Sequence, residues 1–408
     1  MYSFQYLPTY RFIPSTTLPV DTMPKNFVIL GAGLTGLPLA HYVLKHYSTK
    51  HDLKVILVSR SDEFYWNIAT PRAAIPGQFT DDQIFFSIPK VFSKYSSERF
   101  EFVLGKVEAW DPDENSVAVN QSDGKTTRVL HYDTILVATG SDYVDNMPWK
   151  LVGTSQETHS SLAKLRDAVD KAKSIVVGGG GPTGVEFAGE LGHEYAKTGK
   201  KQVTLVVTDK LPLESKNLEA TRQAAMKELE KLNVKVITNT RVANTTHEAG
   251  GGSTLELTNT DGTRRMLEAD LFVPTWGVTF NTSFAPSSLL ESNGRLKVTS
   301  SLRAPGYDNV FLAGDAANAD SYAATIREPQ VRYLATAIGQ YLAGVKVQKY
   351  SPETKVGLAA SVGPSRGVGQ MGNFNMWSFL VWYFKARHMC TNVAAEYAAG
   401  ESLILGSL

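Results

Sequence analysis

The stretch "FVILGAGLTGLPLA" at residues 27–40 decides the fold, because it reads as an apolar strand, a glycine-rich turn and the start of a helix. Gly31, Gly33 and Gly36 have the spacing G-x-G-x-x-G. These glycines permit a tight reversal, close approach of backbone to phosphate, and packing of the helix on the strand. Since a helix N-terminus also presents unpaired N–H groups, the pattern predicts a dinucleotide pyrophosphate site. A turn without a ligand is the alternative that the motif alone leaves open.

A second stretch of the same kind, "IVVGGGGPTGVEFAGEL", occupies residues 175–191. Gly179, Gly181 and Gly184 repeat the spacing, and Gly179 follows Gly31 by 148 residues. Glu186 on the following helix is either an acid favoured by the helix dipole or a carboxylate facing a nicotinamide, and the sequence leaves both open.

The rest of the chain repeats the same order of elements. Apolar strands alternate with helical patterns, and the antiparallel meanders predicted at 101–140 and 235–276 each end in an apolar strand followed by glycine. We therefore predict an α/β fold of two nested Rossmann-like dinucleotide-binding domains with a smaller C-terminal region. The predicted parts are a flexible lead-in (1–24), a split domain (25–145 and 271–345), an inserted domain (146–270) and the C-terminal region (346–408).

Length and composition bound the function. A chain of 408 residues exceeds a single core. Lys and Arg total 41 against 40 Asp and Glu, so no bulk field attracts nucleic acid. Cys390 is the only cysteine, which excludes an internal disulfide and gives no pointer to secretion. No apolar run reaches the roughly 18 residues of a membrane-spanning helix, and no pair of histidines has metal-ligand spacing.

The adenosine ends of the two sites differ from the usual pattern. An acid at the end of the second strand usually binds the ribose hydroxyls. The position 28 residues after the first glycine is Ser59 in one module and Val207 in the other. Arg60 follows the first and Lys210 lies near the second, so NADH and NADPH both remain open.

A third motif, "NVFLAGDAAN" at 309–318, places Gly314 and Asp315 after an apolar strand. An acid beside pyrophosphate would repel it, whereas its oxygens suit a ribityl or other hydroxylated chain. The alternative for Asp315 is an ordinary helix N-cap.

Taken together, "GAGLTG", "VATG", "GGGPTGVEFAGEL" and "FLAGDAA" in this order resemble the two-dinucleotide-binding flavoprotein superfamily over about residues 25–345. The stretches "FYWNIATPRAAI" (64–75), "NVFLAGDAANAD" (309–320) and "SVGPSRGVGQMGNF" (361–374) look most like the apoptosis-inducing-factor-like branch. This branch contains the AMID or ferroptosis-suppressor flavoproteins and has type II NADH:quinone oxidoreductases as cousins.

The resemblance implies two cofactors and a set of contacts for each. FAD would contact Gly31, Ala32, Gly33, Gly36, Ser59, Arg60, Arg72, Val107, Ala138, Thr139, Gly140, Gly314, Asp315 and Gln330. NADH or NADPH would contact Gly179, Gly181, Gly184 and Glu186. Trp276 stands where small residues are usual and has no explanation beyond narrowing access between the domains.

The resemblance also implies the chemistry. Disulfide reductases of the superfamily carry two cysteines where this chain has "WNIATPRAAI", so disulfide reduction is excluded. We expect hydride transfer from NAD(P)H to FAD and then electron transfer to an acceptor, with the protein positioning the two cofactors. We expect no metal and name no catalytic residue beyond Glu186 as a candidate near the nicotinamide.

The acceptor and partners stay open. The family suggests a quinone. The alternatives are a soluble redox enzyme of specialised metabolism, a ferredoxin-type reductase, or a slow-turnover flavin-binding signalling or interaction protein. The stretch "FNMWSFLVWYFKARH" at 374–388 suits a peripheral membrane contact, or a helix packed on the FAD domain or in a homodimer. We expect an intracellular protein, cytoplasmic or peripheral on a membrane, and the hydroxyl-rich N-terminus leaves a mitochondrial location open.

Overall fold

The structure is a computed structural model that describes residues 23–248, 251–320, 328–352 and 354–402. The predicted lead-in at 1–24 therefore lies outside the described residues except for its last two. No helix within these ranges is long and apolar enough to cross a membrane.

The elements of the described residues follow in chain order. The strands are β1 (Lys25–Leu30), β2 (Leu53–Ser59), β3 (Glu63–Tyr65), β4 (Phe85–Ser87), β5 (Phe100–Asp111), β6 (Ser116–Gln121), β7 (Thr127–His131), β8 (Thr134–Val137), β9 (Ser141–Tyr143), β10 (Ser174–Gly178), β11 (Gln202–Val206), β12 (Lys235–Ile237), β13 (Thr240–His247), β14 (Ser253–Asn259), β15 (Arg264–Ala269), β16 (Leu271–Pro274), β17 (Val278–Phe280), β18 (Val310–Leu312), β19 (Gly357–Ser361), β20 (Gly367–Met371) and β21 (Phe374–Met376). The helices are α1 (Gly36–His46), α2 (Thr70–Ala73), α3 (Ile88–Phe92), α4 (Ser155–Lys171), α5 (Pro182–Glu194), α6 (Glu219–Lys231), α7 (Glu328–Leu342), α8 (Ser378–Val381) and α9 (Ala394–Ala398).

The largest sheet has the strand order β18-β8-β1-β2-β5-β6-β7. Strands β18, β8, β1, β2 and β5 are parallel, and β5, β6 and β7 form the antiparallel meander. Along β1, Phe27 and Ile29 join the core on the α1 side, while Val28 and Leu30 join the core on the meander side. Both faces of β1 are therefore covered, which explains its continuous apolar run.

A second, smaller sheet has the strand order β12-β11-β10-β16, all parallel. The meander β13-β14-β15 packs beside it. Strand β16 pairs with β10, so residues 271–274 lie in the second sheet, four residues beyond the predicted limit at 270. The chain thus leaves the first sheet after β8, builds the second, and returns at β18. This is the expected α/β fold of two nested Rossmann-like units; the exact domain limits stay a prediction.

The C-terminal region consists of the antiparallel sheet β19-β20-β21, helix α8, a π-helical turn at Trp382–Ala386, and α9. Its last part lies against the first domain. Trp66 Nε1 donates to the Met389 carbonyl at 3.2 Å, and the Tyr397 hydroxyl donates to the Leu34 carbonyl in the first glycine turn. The C-terminal region therefore supports that turn directly.

The buried side chain of His41 on α1 contacts the C-terminal region. Its Nε2 lies 3.1 Å from the Ala398 carbonyl, which can only accept, so Nε2 carries the proton and Nδ1 accepts from the Tyr95 hydroxyl at 3.0 Å. The ring stacks on Phe92 with a centroid distance of 3.8 Å. Burial, followed by the charge of Lys94, lowers the pKa of His41 to about 3.

We expect His41 to make the fold sensitive to acid. Between pH 6.5 and about 3 the unfolded chain binds a proton at His41 that the folded chain does not, so stability falls as the pH falls. From pH 7 to pH 5 the loss from this group is about 2 kcal/mol. Urea unfolding of His41→Asn should show a pH dependence smaller by that amount. Equal pH dependence in the two proteins would contradict the prediction.

Candidate functional site

A cavity opens at the carboxyl ends of β1, β2 and β8. Most residues of the predicted FAD set line it, namely Gly31, Ala32, Gly33, Ser59, Arg60, Val107, Ala138, Thr139, Gly140, Gly314 and Asp315. The folding of parallel strands explains this convergence, because their carboxyl ends meet at one edge of the sheet. Gly36, Arg72 and Gln330 do not line the cavity.

The glycines of the first turn have distinct geometric roles. Gly31 has φ +102°, and a Cβ there would come within 2.4 Å of the Ala138 oxygen. A Cβ on Gly36 would come within 1.9 Å of the Gly31 oxygen, so Gly36 supports the packing of α1 from behind. A Cβ on Gly33 would meet no atom within 4 Å, so the backbone of Gly33 is open to the cavity. The turn therefore offers a cradle that side chains would fill.

The turn formed by Gly314 and Asp315 closes the opposite side of the cavity. Gly314 has φ +72°, and its N–H donates to Gln330 Oε1 at 2.8 Å. Gln330 is fully buried, so it holds the turn from behind. Ser141 Oγ donates to Asp315 Oδ2 at 2.9 Å, and Lys150 Nζ forms an ion pair with the same oxygen.

Several charged residues in the cavity escaped the sequence analysis. Lys150 reaches Asp315, and Asp142 pairs with Arg60 while accepting from Asn281 Nδ2 at 3.0 Å. Asp142 follows Gly140 by two positions and could have been found from the "VATG" motif. Lys150 and Asn281 lie in the two crossovers between the sheets, where no motif marks them.

Arg72 lies in a buried ion pair at the junction of three parts of the chain. Its guanidinium donates to both carboxylate oxygens of Glu190 on α5, at 2.8 and 3.0 Å. It also donates to the backbone carbonyls of Ala386 and Arg387 in the C-terminal region. Burial raises the pKa of Glu190, while Arg72 opposes that shift. Arg72 thus connects α2, α5 and the C-terminal region.

The second turn repeats the geometry of the first. Gly179 has φ +107°, and a Cβ on Gly184 would come within 1.9 Å of the Gly179 oxygen, the distance found between Gly36 and Gly31. Gly181 is the N-cap of α5, and a Cβ on it would meet no atom within 4 Å. The N-terminus of α5 therefore offers an open anion site with a close-packed glycine behind it.

Glu186 lies inside α5 rather than in its first turn. It is 5% exposed, accepts from the Ser361 N–H at 3.1 Å and pairs with Lys385 Nζ at 2.7 Å. Both partners belong to the C-terminal region. Glu186 and Glu190 are thus each held by a cation, and helix α5 is tied to the C-terminal region as well as to α2.

At the predicted adenosine end of the second turn, the carboxylate of Asp209 already has hydrogen-bond donors. Val207 is buried, and Asp209 accepts from Arg222 at 2.7 Å and from the Lys210 N–H at 2.6 Å. These hydrogen bonds hold the pKa of Asp209 below its ordinary value. The Asp209 carboxylate is therefore already engaged by Arg222.

The chemistry of the residues that line this cavity, called the first cavity below because it belongs to the first glycine turn, fits FAD. Open backbone at Gly33 suits pyrophosphate, and the oxygens of Asp315 suit hydroxyl groups. Arg60, Lys106 and Lys150 also line the cavity and contribute positive charge to its walls.

The chain belongs to the pyridine nucleotide-disulphide oxidoreductase family, whose profile matches residues 20–340. It is 36% identical over 359 residues to oxidoreductase ptaL of Pestalotiopsis fici, covering 88% of this chain and 94% of ptaL. It is 27% identical to ferroptosis suppressor protein 1 of Taeniopygia guttata, covering 89% and 92% of the two chains. The sulfide:quinone oxidoreductase of Aquifex aeolicus shares the fold with a TM-score of 0.73 at 18% identity, covering 92% of each chain.

These similarities confirm the resemblance to the ferroptosis-suppressor branch and the expected fold. The family match defines the chain as a flavoprotein oxidoreductase of this family, whose cofactors are FAD and NADH or NADPH.

Proposed function

We propose that this protein passes a hydride from NAD(P)H to FAD and then electrons to a quinone-like acceptor, without a redox disulfide. The single cysteine, Cys390, cannot form an internal disulfide, so electrons leave the flavin directly. The observation that carries the acceptor class is an exposed aromatic surface in the C-terminal region.

In the proposed site, the backbone of Gly31, Ala32 and Gly33 holds the FAD pyrophosphate. Asp315, fixed by Ser141 and Lys150, holds hydroxyl groups of the cofactor. Bound FAD supplies a hydride acceptor and an electron donor. The other proposed contacts are Ser59, Arg60, Val107, Ala138, Thr139, Gly140 and Gly314 from the cavity wall. Gly36, Arg72 and Gln330 do not line the cavity, and we propose that they support the site indirectly.

The second turn holds the NAD(P)H pyrophosphate in this proposal. Gly179 and Gly181 offer backbone at the N-terminus of α5, and Gly184 keeps that helix close. Tyr143 in the first domain lies 3.4 Å from Thr183 Oγ1 in the first turn of α5, so the two sites are neighbours. Glu186 positions α5 through Lys385.

The C-terminal aromatic surface consists of Met371, Phe374, Trp377, Phe379, Tyr383 and Phe384, which are 39–65% exposed. The same segment packs inward through Val381, Ala386 and Met389. The stretch 354–395 contains four Lys or Arg residues and no acid, and one of the four, Lys385, pairs inward with Glu186. Exposed aromatic rings with cations suit an anionic membrane interface, where quinones dissolve. We propose a peripheral membrane contact here; a second copy of the chain is the alternative occupant.

A second candidate is a redox enzyme of the same cofactors with a soluble acceptor. The relative at 36% identity is named as an oxidoreductase without an acceptor, so its name leaves this candidate open.

Anaerobic reduction tests the proposal. We expect NADH or NADPH to bleach the flavin band near 450 nm, and a ubiquinone analogue to restore it. No bleaching would exclude both enzyme candidates. If cytochrome c, ferredoxin or oxygen restores the bleached flavin band and the quinone does not, a quinone acceptor is excluded.

Vesicle flotation tests the surface. We expect the protein to float with vesicles that contain anionic lipid, and the double substitution Trp377→Ser and Phe379→Ser to abolish this. Light scattering of both proteins decides the alternative, because a dimer that the substitutions dissociate would indicate a second copy.

Lys150 should matter for FAD retention. Because Lys150→Met removes the cation that fixes Asp315 in the proposed FAD site, we expect about tenfold weaker FAD binding. Fluorescence of FAD released on dilution measures this. Lys125→Met, an exposed lysine in the β6–β7 turn, is the matched control and should release no more FAD than the wild type. Equal release from the Lys150 variant and the control would contradict the prediction.

A further inference from the structure

Trp276 carries an exposed indole at the edge of the second sheet. Strand β16 ends beside β10 with Pro274 opposite Gly178, and Trp276 follows two residues later. Thr275 fixes this position, since its N–H and its hydroxyl both donate to the Gly178 carbonyl, at 2.9 and 2.8 Å. The backbone therefore holds Trp276 against the second glycine turn.

The benzo ring of the indole lies against the glycines of that turn. A Cβ on Gly178 would come within 2.2 Å of the Trp276 ring, and a Cβ on Gly179 within 3.2 Å. Phe272 supports the ring at a centroid distance of 5.7 Å. Trp276 nevertheless stays 40% exposed. The indole is thus packed against the turn through its benzo ring and remains partly open to solvent.

The strand order indicates which half of a dinucleotide would meet this surface. The sheet runs β12-β11-β10-β16, with the glycine turn after β10. Pyrophosphate binds at the turn and the adenosine ribose at the end of the second strand, here β11. The other half must then extend to the opposite side, toward β16 and Trp276.

The chain beyond Trp276 leads to the first cavity. Gly277 accepts from the Val144 N–H at 2.9 Å, and Val278 pairs with Tyr143 between β17 and β9. Asn281, a few residues on, lines the cavity. Trp276 is therefore placed between the second turn and the FAD cavity, where the nicotinamide end belongs.

We propose that the exposed part of the Trp276 indole is a stacking surface for the nicotinamide ring of NAD(P)H. This inference rests on the proposed function of the second turn. A planar aromatic ring stacks on indole, and the oxidised nicotinamide adds a cation–π attraction. Trp276 is accordingly a binding residue that orients the ring toward the first cavity.

Equilibrium titration of the FAD-containing protein tests the proposal with two probes. One is NAD⁺ or NADP⁺, whichever the wild type binds more tightly. The other is the same molecule without nicotinamide, ADP-ribose or its 2′-phosphate. We expect Trp276→Ala to weaken the complete coenzyme about tenfold or more and the truncated probe less than twofold. Trp276→Phe should recover most of the loss, and Trp377→Ala is the matched control on a remote exposed tryptophan.

Each outcome decides the proposal. Equal weakening of both probes in Trp276→Phe and Trp276→Ala would overturn it, because the ring would then contact the shared adenosine half. Unchanged binding of both probes in the two variants would also overturn it. A wild type that binds neither probe would overturn the proposed NAD(P)H site itself. Quenching of tryptophan fluorescence by the complete coenzyme should be reduced in Trp276→Phe and retained in Trp377→Ala.

Discussion

Arg72→Met should lower the free energy of unfolding by about 3–5 kcal/mol, as expected when one partner of a buried ion pair is removed. The Arg72 and Glu190 side chains are 4% and 3% exposed. The substitution would leave the Glu190 carboxylate buried without its bidentate partner and near the like charge of Glu186. Denaturant unfolding of the FAD-containing protein measures the change.

The pH dependence of this variant identifies the cause. Without Arg72, the buried Glu190 carboxyl should keep its proton in the folded state, so its folded pKa lies above its unfolded pKa. The folded state then binds more protons, and stability is lost as the pH rises through the folded pKa. We expect the stability deficit of Arg72→Met to be larger at pH 8 than at pH 6.

Two comparisons make the test specific. Replacing both partners, as Arg72→Met with Glu190→Leu, should cost clearly less than the sum of the single substitutions. Lys171→Met breaks an exposed ion pair with Asp167, whose N–O distance of 2.7 Å is similar, and should change stability by less than about 0.5 kcal/mol. A deficit of that small size for Arg72→Met would contradict the prediction. If the loss were only in FAD affinity, with stability unchanged, Arg72 would act on the cofactor instead.

The nested fold was predictable because each of its two units has a local sequence pattern. A short apolar strand, a glycine at the Gly31 position and a second glycine five residues on are needed wherever a helix packs this closely on a strand. The contact between Gly36 and Gly31 leaves no room for a side chain there. The 148-residue offset between the two turns then revealed the insertion. Strand β16 escaped the predicted limits because its pairing with β10 is a contact over almost 100 residues.

The partners of single side chains were much less predictable. The resemblance led to a prediction of Arg72 around the cofactor, yet the ion pair with Glu190 depends on α5 of the inserted unit and on carbonyls near residue 386. Glu186 was open between two interpretations, and neither included Lys385, which lies about 200 residues away. Contacts that join three separate parts of a chain leave no local spacing in its sequence.

Gly184→Ala should slow the reduction of FAD by NAD(P)H at least about 100-fold, while FAD stays bound. The added Cβ would come within 1.9 Å of the Gly179 oxygen and 2.8 Å of Thr275 Oγ1, so α5 must move away from β10. The nearest neighbour is backbone, and a rotamer change cannot relieve the clash. Because the N–H groups at the start of α5 form the proposed pyrophosphate site, a displaced helix removes them from it.

Gly181→Ala is the matched control for folding, since its Cβ meets nothing within 4 Å and Gly181 lies in the same turn. It should unfold at the wild-type denaturant concentration, whereas Gly184→Ala should lose stability as well as coenzyme binding. Flavin absorbance after gel filtration reports FAD, and anaerobic bleaching by NADH and NADPH reports the second site. Bleaching at the wild-type rate in Gly184→Ala would contradict the assignment of this turn. Loss of FAD together with bleaching would mean that the two units do not bind their ligands independently, because α5 also carries Glu190, the partner of Arg72 in the first unit.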